Sequence, residues 1–443
     1  MSSVTELIIG IDLGSTCMTG VLGKRVPGGT ALLALSQVPV VSGIRRGVVH
    51  NLEEVSRGVQ DLLDNLLNKS GNKCKIEQIY IGINGYSIRT IDVTSATTFS
   101  GDEILNDIHL DSLTDEVEGK VPDSLDIIDI FPQEFIVDGK VDVNPVGSMP
   151  TNVEAHYKVV AGKPIIFRNL DATFDRMHLR YEQILGPMAS AEAVLVSEDK
   201  SRGVVAVDFG AETTSICIYK GNVVRYISIL PFGGSNITKD LLQLNIDEDE
   251  AEKLKLESGT AIHFADVKRS EDQDSMTSLL KDFEKETNEI MVARVEEIID
   301  NIYAQIRYSG AEIQKLIAGI VITGGASQLP GLDILLSKKT GLAVRIGNPL
   351  QSITSKPDEI IVEPGDSLAI GLLLLGKPGC CSATEPVLKP QETHDAVKPQ
   401  TPGGFEDEEI KKDKPKKNKP KNADKSGGIF SGFIKGLFDE EDL

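Results

Sequence analysis

The chain has 443 residues, of which 40% are hydrophobic and 26% are charged, and its formal net charge is −21. This length predicts two or three hydrophobic cores, because single cores stop growing near ~250–300 residues. An acidic protein of this kind repels phosphate backbones, so nucleic acid is excluded as an expected partner. The five cysteines are scattered without metal-ligand spacing, which is typical of reduced thiols in a cytosol.

The N-terminal segment does not have the pattern of a signal peptide. Residues 1–10 carry no basic region, and the apolar run Ile8–Ile11 leads directly into a polar motif, which indicates a strand. No stretch approaches the ~18–20 apolar residues of a membrane-spanning helix. We therefore expect a protein that is soluble or that lies on a membrane without crossing it.

The first half of the chain predicts a mixed α/β lobe with an insertion. A helix is predicted over 52–67, a strand over 76–83 and a further helix over 175–185. Residues 86–162 predict a small α+β subdomain, with a strand at 87–94, a helix at 102–117 and two further strands around 126–137 and 153–160. The lobe 1 core is therefore assigned to residues 1–85 and 163–197.

The second half predicts another α/β lobe, with a mainly helical insertion over 234–310. Residues 281–309 form an amphipathic helical pattern, and 316–323 predict a buried strand. The lobe 2 core is assigned to residues 198–233 and 311–376. The apolar stripe of the long helix is Met291, Val295, Ile298, Ile302 and Ile306.

Beyond residue 376 the composition changes sharply. Residues 377–428 are rich in Lys, Pro and acidic residues and predict a disordered linker. Residues 429–443 then predict a short amphipathic helix with an acidic end, too short to span a bilayer and suited to lie in its interface. Eight lysines in residues 411–425 favour an anionic membrane surface. The predicted lipid-facing residues are Ile429, Phe430, Phe433, Ile434, Leu437 and Phe438.

Docking of this terminal helix on the protein's own body or on a partner is the alternative. The long linker that separates the helix from the body favours the membrane.

A strand–turn–strand motif occurs once in each half of the chain. Residues 8–16 are Ile-Ile-Gly-Ile-Asp-Leu-Gly-Ser-Thr, and residues 204–214 are Val-Val-Ala-Val-Asp-Phe-Gly-Ala-Glu-Thr-Thr. Each apolar run ends in Asp-x-Gly and hydroxyl residues, and a second strand-like run follows. The alternative is that these are two ordinary hairpins that look alike by chance. The charged residue, the glycine and the hydroxyl residues occur in the same order in both copies, which favours a duplicated site.

The duplicated motif predicts a phosphate-binding cleft between the lobes. The glycines let a phosphate approach the backbone, and the amides and hydroxyls donate to its oxygens. Two facing carboxylates repel each other, and Mg²⁺ bound to ATP removes that repulsion; the predicted metal-facing residues, acting through water, are Asp12 and Asp208. The predicted phosphate-site residues are Asp12, Gly14, Ser15, Thr16, Asp208, Gly210, Thr213 and Thr214.

A third part of the site is predicted at Gly324 and Gly325. They follow a buried strand and precede a helix, and such a turn lets the backbone lie against a nucleoside. Taken alone, this pattern is also that of an ordinary strand-to-helix turn.

Together these motifs resemble the actin, Hsp70 and sugar-kinase superfamily over residues 5–376. Within it the chain is similar to the FtsA family. The segments that carry this similarity are Gly43-Ile-Arg-Arg-Gly-Val-Val-His-Asn-Leu-Glu54, Asn144-Pro-Val-Gly147, Pro187-Met-Ala-Ser190, Glu250-Ala-Glu-Lys-Leu-Lys255 and residues 323–331. The resemblance implies a two-lobed actin-like ATPase fold with the subdomain at 86–162 in place of actin's usual first-lobe insertion.

The resemblance also implies a function and further site residues. FtsA-like proteins bind ATP, associate into filaments, recruit other division proteins and anchor FtsZ at the cytoplasmic face of the membrane at the division site. Glu252 and Lys255 are implied to flank the adenosine; a surface ion pair is the alternative. The residues implied to contact the C-terminal peptide of FtsZ are Arg294, Asn301 and Arg307, with solvated helix surface as the alternative.

One departure from the superfamily concerns hydrolysis. Relatives often carry a Glu immediately before the Pro of the helix that precedes the second phosphate loop, where it positions the attacking water. This chain has Gly186 before Pro187, so we expect weak or slow ATP hydrolysis. A small-molecule kinase or a pilus-assembly actin-like protein is the alternative function, but neither is expected to need the C-terminal tail. An Hsp70-like chaperone would need a folded substrate domain after residue 376.

Overall fold

The computed structural model describes residues 6–100, 102–142, 144–263 and 275–383. They form one compact body. The predicted membrane helix and nearly all of the predicted linker lie outside the described residues. Within the described ranges, no helix is long and apolar enough to cross a membrane.

The elements of the first half are given in chain order. They are β1 (Leu7–Leu13), β2 (Cys17–Val26), β3 (Gly29–Pro39), β4 (Ile44–Arg45), β5 (Val48–Val49), α1 (Leu52–Ser70), β6 (Cys74–Ile76), β7 (Gln78–Ile83), β8 (Arg89–Thr98), α2 (Asp107–Glu118), β9 (Asp126–Val137), β10 (Lys140–Asp142), β11 (Asn152–Gly162), α3 (Ile165–Met177), β12 (Arg180–Leu185) and α4 (Gly186–Val194).

The elements of the second half follow in the same order. They are α5 (Ser197–Arg202), β13 (Val204–Phe209), β14 (Thr214–Lys220), β15 (Val223–Leu230), α6 (Gly234–Leu241), α7 (Glu248–Ser258), α8 (Ser275–Tyr308), β16 (Gly319–Thr323), α9 (Leu332–Thr340), β17 (Val344–Ile346), α10 (Ser367–Leu375) and β18 (Cys381–Ala383).

Lobe 1 is a five-stranded sheet in the order β12-β7-β1-β2-β3. Its first hairpin is antiparallel, and β1 is parallel to β7. Helix α1 covers β2 and β3. It begins at Asn51, whose side chain accepts from the Glu54 N–H, and ends at Gly71 in the left-handed conformation. Apolar residues recur at helical spacing on its buried face, as the sequence predicts.

The predicted helix over 175–185 is wrong. Helix α3 covers Ile165–Met177, His178 adopts a left-handed conformation with φ 50°, and residues 180–185 form strand β12. Strand β12 lies parallel to β7 at the edge of the sheet, where its backbone is paired on one side. This long-range pairing overrides the local helical pattern, which a single sequence window does not reveal.

The subdomain at 86–162 has the predicted α+β composition and a small core of its own. Strands β8, β9, β10 and β11 form an antiparallel sheet, against which α2 packs. This sheet continues into lobe 2, because Arg89 in β8 pairs with Ser228 in β15. The Thr90 hydroxyl reinforces the junction: it accepts from the Ile227 N–H at 2.7 Å and donates to the Ile227 carbonyl at 3.0 Å. The insertion is therefore tied to the opposite lobe.

Lobe 2 continues the same nine-stranded sheet, in the order β10-β9-β11-β8-β15-β14-β13-β16-β17. Strands β13 and β14 form the second antiparallel hairpin, and β16 lies parallel to β13. Helix α8 contacts α6, α9, β14 and β15. The stripe predicted for this helix is confirmed, since all five of its residues are no more than 1% exposed.

The folded body extends beyond the predicted boundary at residue 376. Residues Cys381–Ala383 form β18, which pairs antiparallel with β6 of lobe 1. Glu77 strengthens the attachment, because its N–H donates to the Cys380 carbonyl at 2.8 Å and its carboxylate accepts from Ser382. The last described residues of the chain are therefore attached to lobe 1.

Two helices join the lobes and cross at a very short distance. Helix α10 lies on β1, β2 and β7 of lobe 1, while α4 contacts β13 and β14 of lobe 2. At the crossing, a Cβ placed on Gly371 would lie 1.8 Å from the carbonyl oxygen of Ala189. Only glycine permits this approach, so the packing of the two lobes depends on it.

We expect Gly371→Ala to lower the free energy of unfolding by about 1–3 kcal/mol, because the added methyl group forces the two helices apart. Urea denaturation measures the change. Gly119→Ala is the control, since the nearest atom to a Cβ there is 3.7 Å away, and its effect should stay within about 0.5 kcal/mol. Equal unfolding free energies for both variants would contradict the role of the crossing.

Candidate nucleotide-binding site

The first phosphate loop lies between β1 and β2. Asp12 stands near the end of β1, next to Gly82 of β7. A Cβ on Gly14 would lie 2.3 Å from the Cys17 carbonyl oxygen, so the tight turn requires glycine. Ser15 is half-buried and Thr16 is exposed. The predicted residues of this loop are therefore together.

The second phosphate loop has the same position between β13 and β14. The Gly210 N–H donates to the Thr213 carbonyl at 2.9 Å, which closes the turn. Thr214 is fully buried, and its hydroxyl donates to the Phe232 carbonyl at 2.8 Å. The Thr214 hydroxyl is thus engaged inside the fold, where it supports the turn.

Three carboxylates converge between the two loops. The sequence predicted Asp12 and Asp208; the third is Asp366, the last residue of a short 3₁₀ turn before α10. Burial, reinforced by the charges of Asp208 and Asp366, raises the pKa of Asp12 to about 8. Burial also raises the pKa of Asp208 and of Asp366. The charged forms of these carboxylates are therefore unfavourable here unless they bind protons or a cation lies among them.

Hydrogen bonds offset part of this cost. Ser190 of α4 donates to Asp208 at 2.5 Å, and Gln37 of β3 donates to Asp366 at 3.0 Å. The Glu363 N–H also donates to Asp366, at 2.9 Å. Each bond favours the charged carboxylate and lowers its pKa, against the effect of burial.

The carboxylates of the cleft fit a hydrated Mg²⁺ bound to a nucleotide more closely than a metal ion held by protein side chains alone. Among the described residues, no group of three or more His, Cys, Asp or Glu side chains is arranged to hold a metal ion. Mg²⁺ keeps several waters and needs only one or two carboxylates when phosphates supply other oxygens. Gly14 and Gly210 are required by the turns themselves, since an added Cβ would lie 2.3 Å and 3.0 Å from the loops' own carbonyl oxygens.

The end of the cleft that the sequence predicts to hold the nucleoside is built around Gly324 and Gly325. Gly324 has φ 88°, and a Cβ on it would lie 2.3 Å from an Asp208 carboxylate oxygen. Gly325 is exposed and would meet no atom within 4 Å of an added Cβ, so its surroundings are open. A 3₁₀ turn over Gly325–Gln328, rather than an α-helix, follows directly, and α9 begins later.

Helices α6 and α7 complete this end. The Gly234 N–H at the start of α6 donates to the Gly210 carbonyl at 2.9 Å, and a Cβ on Gly234 would lie 3.0 Å from the Cβ of Ala326. Lys255 of α7 reaches the same point: its Nζ donates to the Glu252 carboxylate at 2.6 Å and to the Thr238 hydroxyl at 2.9 Å. Glu252 and Lys255 therefore border the region between the second phosphate loop and Gly325.

Several residues of this cleft were missed by sequence reasoning. Ser190 lay inside a segment already noticed for its family resemblance, but nothing in the sequence links it to Asp208. Gln37 and Asp366 are separated by more than three hundred residues, and only the fold brings them together. A detectable signal was Gly233–Gly234, a glycine pair directly before a helix, which is typical of close backbone approach.

The residues implied to contact FtsZ lie elsewhere, on α8. Arg294 is half-buried and is bound by Asp240 of α6 and by Glu297. Asn301 follows after seven residues and shares this face, whereas Arg307 is thirteen residues from Arg294 and lies about 140° around the helix axis. The continuous helix therefore separates Arg307 from the other two.

Asp12→Asn should stabilise the nucleotide-free protein and weaken binding of Mg–ATP. The pKa of Asp12 is about 8 in the folded protein against an ordinary value of 3.8, so the folded state holds its proton more tightly than the unfolded state. The stability cost of ionisation is absent below 3.8, grows as pH rises, and is complete above 8. Because one pKa unit corresponds to about 1.4 kcal/mol, urea unfolding should show a gain of several kcal/mol for the variant at pH 8.5 and little gain at pH 4.

Calorimetry with Mg–ATP, the ligand that the sequence predicts, should show at least about tenfold weaker binding for the same variant, since a carboxylate predicted to face the metal is lost. Asp61→Asn, at an exposed position on α1, is the control and should change neither measurement. A stability gain independent of pH would contradict the electrostatic interpretation.

Comparison with known proteins agrees with this geometry. Residues 205–371 match the family model described as cell division protein FtsA. Cell division protein FtsA of Porphyromonas gingivalis is 28% identical over 351 residues, which cover 77% of this chain and 72% of the relative. FtsA of Escherichia coli K12 is 26% identical over 388 residues, which cover 84% of this chain and 90% of the relative.

A solved structure described as the PilM–PilN type IV pilus biogenesis complex has a similar fold. It matches with a TM-score of 0.61 and 17% identity, and the match covers 83% of this chain and 97% of that chain. The two hairpin loops, the crossing helices between the lobes and the family match agree with one another. The chain is therefore similar to cell division protein FtsA over most of its length and has an actin-like ATPase fold.

Proposed function

We propose that this protein is an ATP-gated scaffold that anchors FtsZ filaments to the cytoplasmic face of the membrane at the division site and recruits other division proteins there. The observation that carries the proposal is the convergence of both Asp-x-Gly loops, Gly325 and Lys255 around one cleft in a chain that is similar to FtsA. The amphipathic pattern at 429–438 supplies the membrane anchor.

ATP with Mg²⁺ is the proposed ligand of the cleft. The two loops hold the phosphates through backbone N–H groups, and Asp12 and Asp208 face the hydrated metal, which lowers the repulsion between them. Glu252 and Lys255 border the adenosine. Bound Mg²⁺ supplies positive charge to the phosphates, and the residues of the chain provide position and exclude water.

Hydrolysis is proposed to be slow, so that the nucleotide acts mainly as a conformational lock. The position that carries Glu in some relatives is Gly186 here. A Cβ at Gly186 would lie 2.9 Å from the Ile83 carbonyl oxygen and 3.2 Å from the Asn84 side chain. This backbone leaves little room for a side chain, and no general base is supplied from that position.

Membrane binding is proposed to require several copies acting together. Burial of six large apolar side chains could contribute several kcal/mol at ~25 cal/mol per Å². Ordering a helix that contains glycine offsets part of this gain. A single tail therefore binds reversibly, while a filament that presents a row of tails binds much more firmly. This argument links ATP-dependent self-association to the anchor.

Liposome co-sedimentation is the experiment that tests the proposed function. The full chain should pellet with anionic liposomes more strongly with Mg–ATP than without it, because assembly multiplies the tails. Truncation after Ser426 should leave a soluble protein that still binds ATP by calorimetry. Phe433→Glu should release the protein from lipid, since it places a charge on the lipid face. Phe405→Glu, in the linker segment, is the matched control and should pellet normally. Equal pelleting of truncated and full chains would contradict the proposal.

The lobe 2 insertion is the proposed docking surface for the C-terminal peptide of FtsZ. Arg294 and Asn301 share one face of α8, and an acidic group of the peptide would replace Asp240 as the partner of Arg294. Arg307 lies off this face and has a lesser proposed role at its edge. The sequence resemblance and the shared face support this surface together.

Arg294→Gln is expected to weaken binding of a fluorescent FtsZ C-terminal peptide by about tenfold or more, because a charge-assisted hydrogen bond is lost. Anisotropy titration measures the affinity, and calorimetry should show ATP binding unchanged. Lys285→Gln is the matched control: it lies nine residues earlier on the same helix, on the opposite face, and is exposed. Unchanged peptide affinity for the Arg294 variant would remove this surface from the proposal.

A further inference from the structure

The second phosphate loop carries an acidic side chain, Glu212, that its phosphate role does not explain. A carboxylate beside a phosphate repels it, so this side chain does not help to bind the ligand. Lys239 of α6 lies 3.6 Å from Glu212 and offsets part of its charge. The Glu212 carboxylate is only partly exposed, with 24% of its side-chain surface accessible. Its position therefore indicates another partner.

That partner is the backbone of the opposite lobe. The Arg46 N–H donates to the Glu212 carboxylate at 2.8 Å, which links the second phosphate loop of lobe 2 directly to lobe 1. Arg46 belongs to the hairpin formed by β4 and β5, within the segment singled out for its family resemblance. A charge-assisted bond of this kind is stronger than a neutral one.

The β4–β5 hairpin holds the Arg46 N–H in a fixed position. Arg46 and Gly47 have φ values of 49° and 71°, the left-handed pair of a type I′ turn. A Cβ on Gly47 would lie 1.9 Å from the Asn84 carbonyl oxygen, and the Tyr86 N–H donates to the Arg46 carbonyl at 3.1 Å. The turn is thus clamped against residues 84–86 of its own lobe.

A second bond crosses the lobes beside the first. The Ser215 hydroxyl donates to the Asn84 side-chain oxygen at 2.6 Å. Asn84 belongs to the segment that clamps the hairpin, and Ser215 follows the second phosphate loop. Moving the lobes apart at this end of the cleft must break both bonds together, while the crossing of α4 and α10 remains.

We propose that Glu212 is an interlobe latch: its bond to the Arg46 N–H opposes opening of the cleft and slows release of the bound nucleotide. The nucleotide part rests on the proposed function. Glu212 acts through the position of the hairpin, so it is a positioning residue. The α6 N-terminus holds its loop in place, because the Ser235 N–H donates to the Ala211 carbonyl at 2.8 Å and the Gly234 N–H donates to the Gly210 carbonyl.

Two measurements on the full chain test the latch. The first is hydrogen exchange of the Arg46 amide in nucleotide-free protein, which does not depend on ligand. Glu212→Ala should make this amide exchange about tenfold faster, whereas Glu212→Gln retains an acceptor oxygen and should stay near the wild type. Glu198→Ala, at an exposed position on α5, is the control. Unchanged exchange in a folded Glu212→Ala protein would overturn the latch.

The second measurement is the dissociation rate of a fluorescent ATP analogue with Mg²⁺, followed by stopped flow after excess ATP is added. Glu212→Ala should release it about three- to tenfold faster, with Glu212→Gln intermediate or unchanged. Faster exchange without faster release would overturn the link to the nucleotide, and equal effects of Ala and Gln would overturn the hydrogen bond as its cause. If no variant and no wild-type protein binds the analogue, the proposed function fails, while the exchange result still decides whether the latch exists.

Discussion

The close crossing of α4 and α10 is the constraint on which the rest of the structure depends. Each helix contacts the sheet of a different lobe, and Gly371 lets them approach to backbone contact. The crossing fixes how far apart the two hairpins lie, and with them Asp12 and Asp208. Because a packed interface does not stretch continuously, this contact limits how the two lobes can move relative to each other.

Ionising the buried carboxylates of the acidic cleft lowers the stability of the fold. Burial raises the pKa of all three converging carboxylates, and that of Asp12 to about 8, so the empty site is less stable when these groups are charged. Under the proposed function, Mg²⁺ with a nucleotide would supply positive charge to these carboxylates and so offset this cost on binding. Functional sites are often less stable than the rest of a protein, and this cleft is an example.

The subdomain at 86–162 is bonded to lobe 2, although it is inserted into the chain of lobe 1. Its sheet continues into lobe 2 through Arg89 and Ser228. Gln133 of the insertion adds side-chain bonds to the Val224 carbonyl and to Arg225. Rotation of one lobe against the other must therefore carry the insertion with lobe 2 or break these bonds.

The sequence by itself determined the two-lobed α/β class, the duplicated Asp-x-Gly loops and the buried stripe of α8, because these depend on local periodicity and on residues close in the chain. It did not determine strand β12, since residues 180–185 become a strand only by pairing with β7. The pairing of Gln37 with Asp366, and the bond from the Arg46 N–H to Glu212, were equally hidden. Their partners lie more than a hundred residues apart, and only tertiary packing of the two lobes decided that they meet.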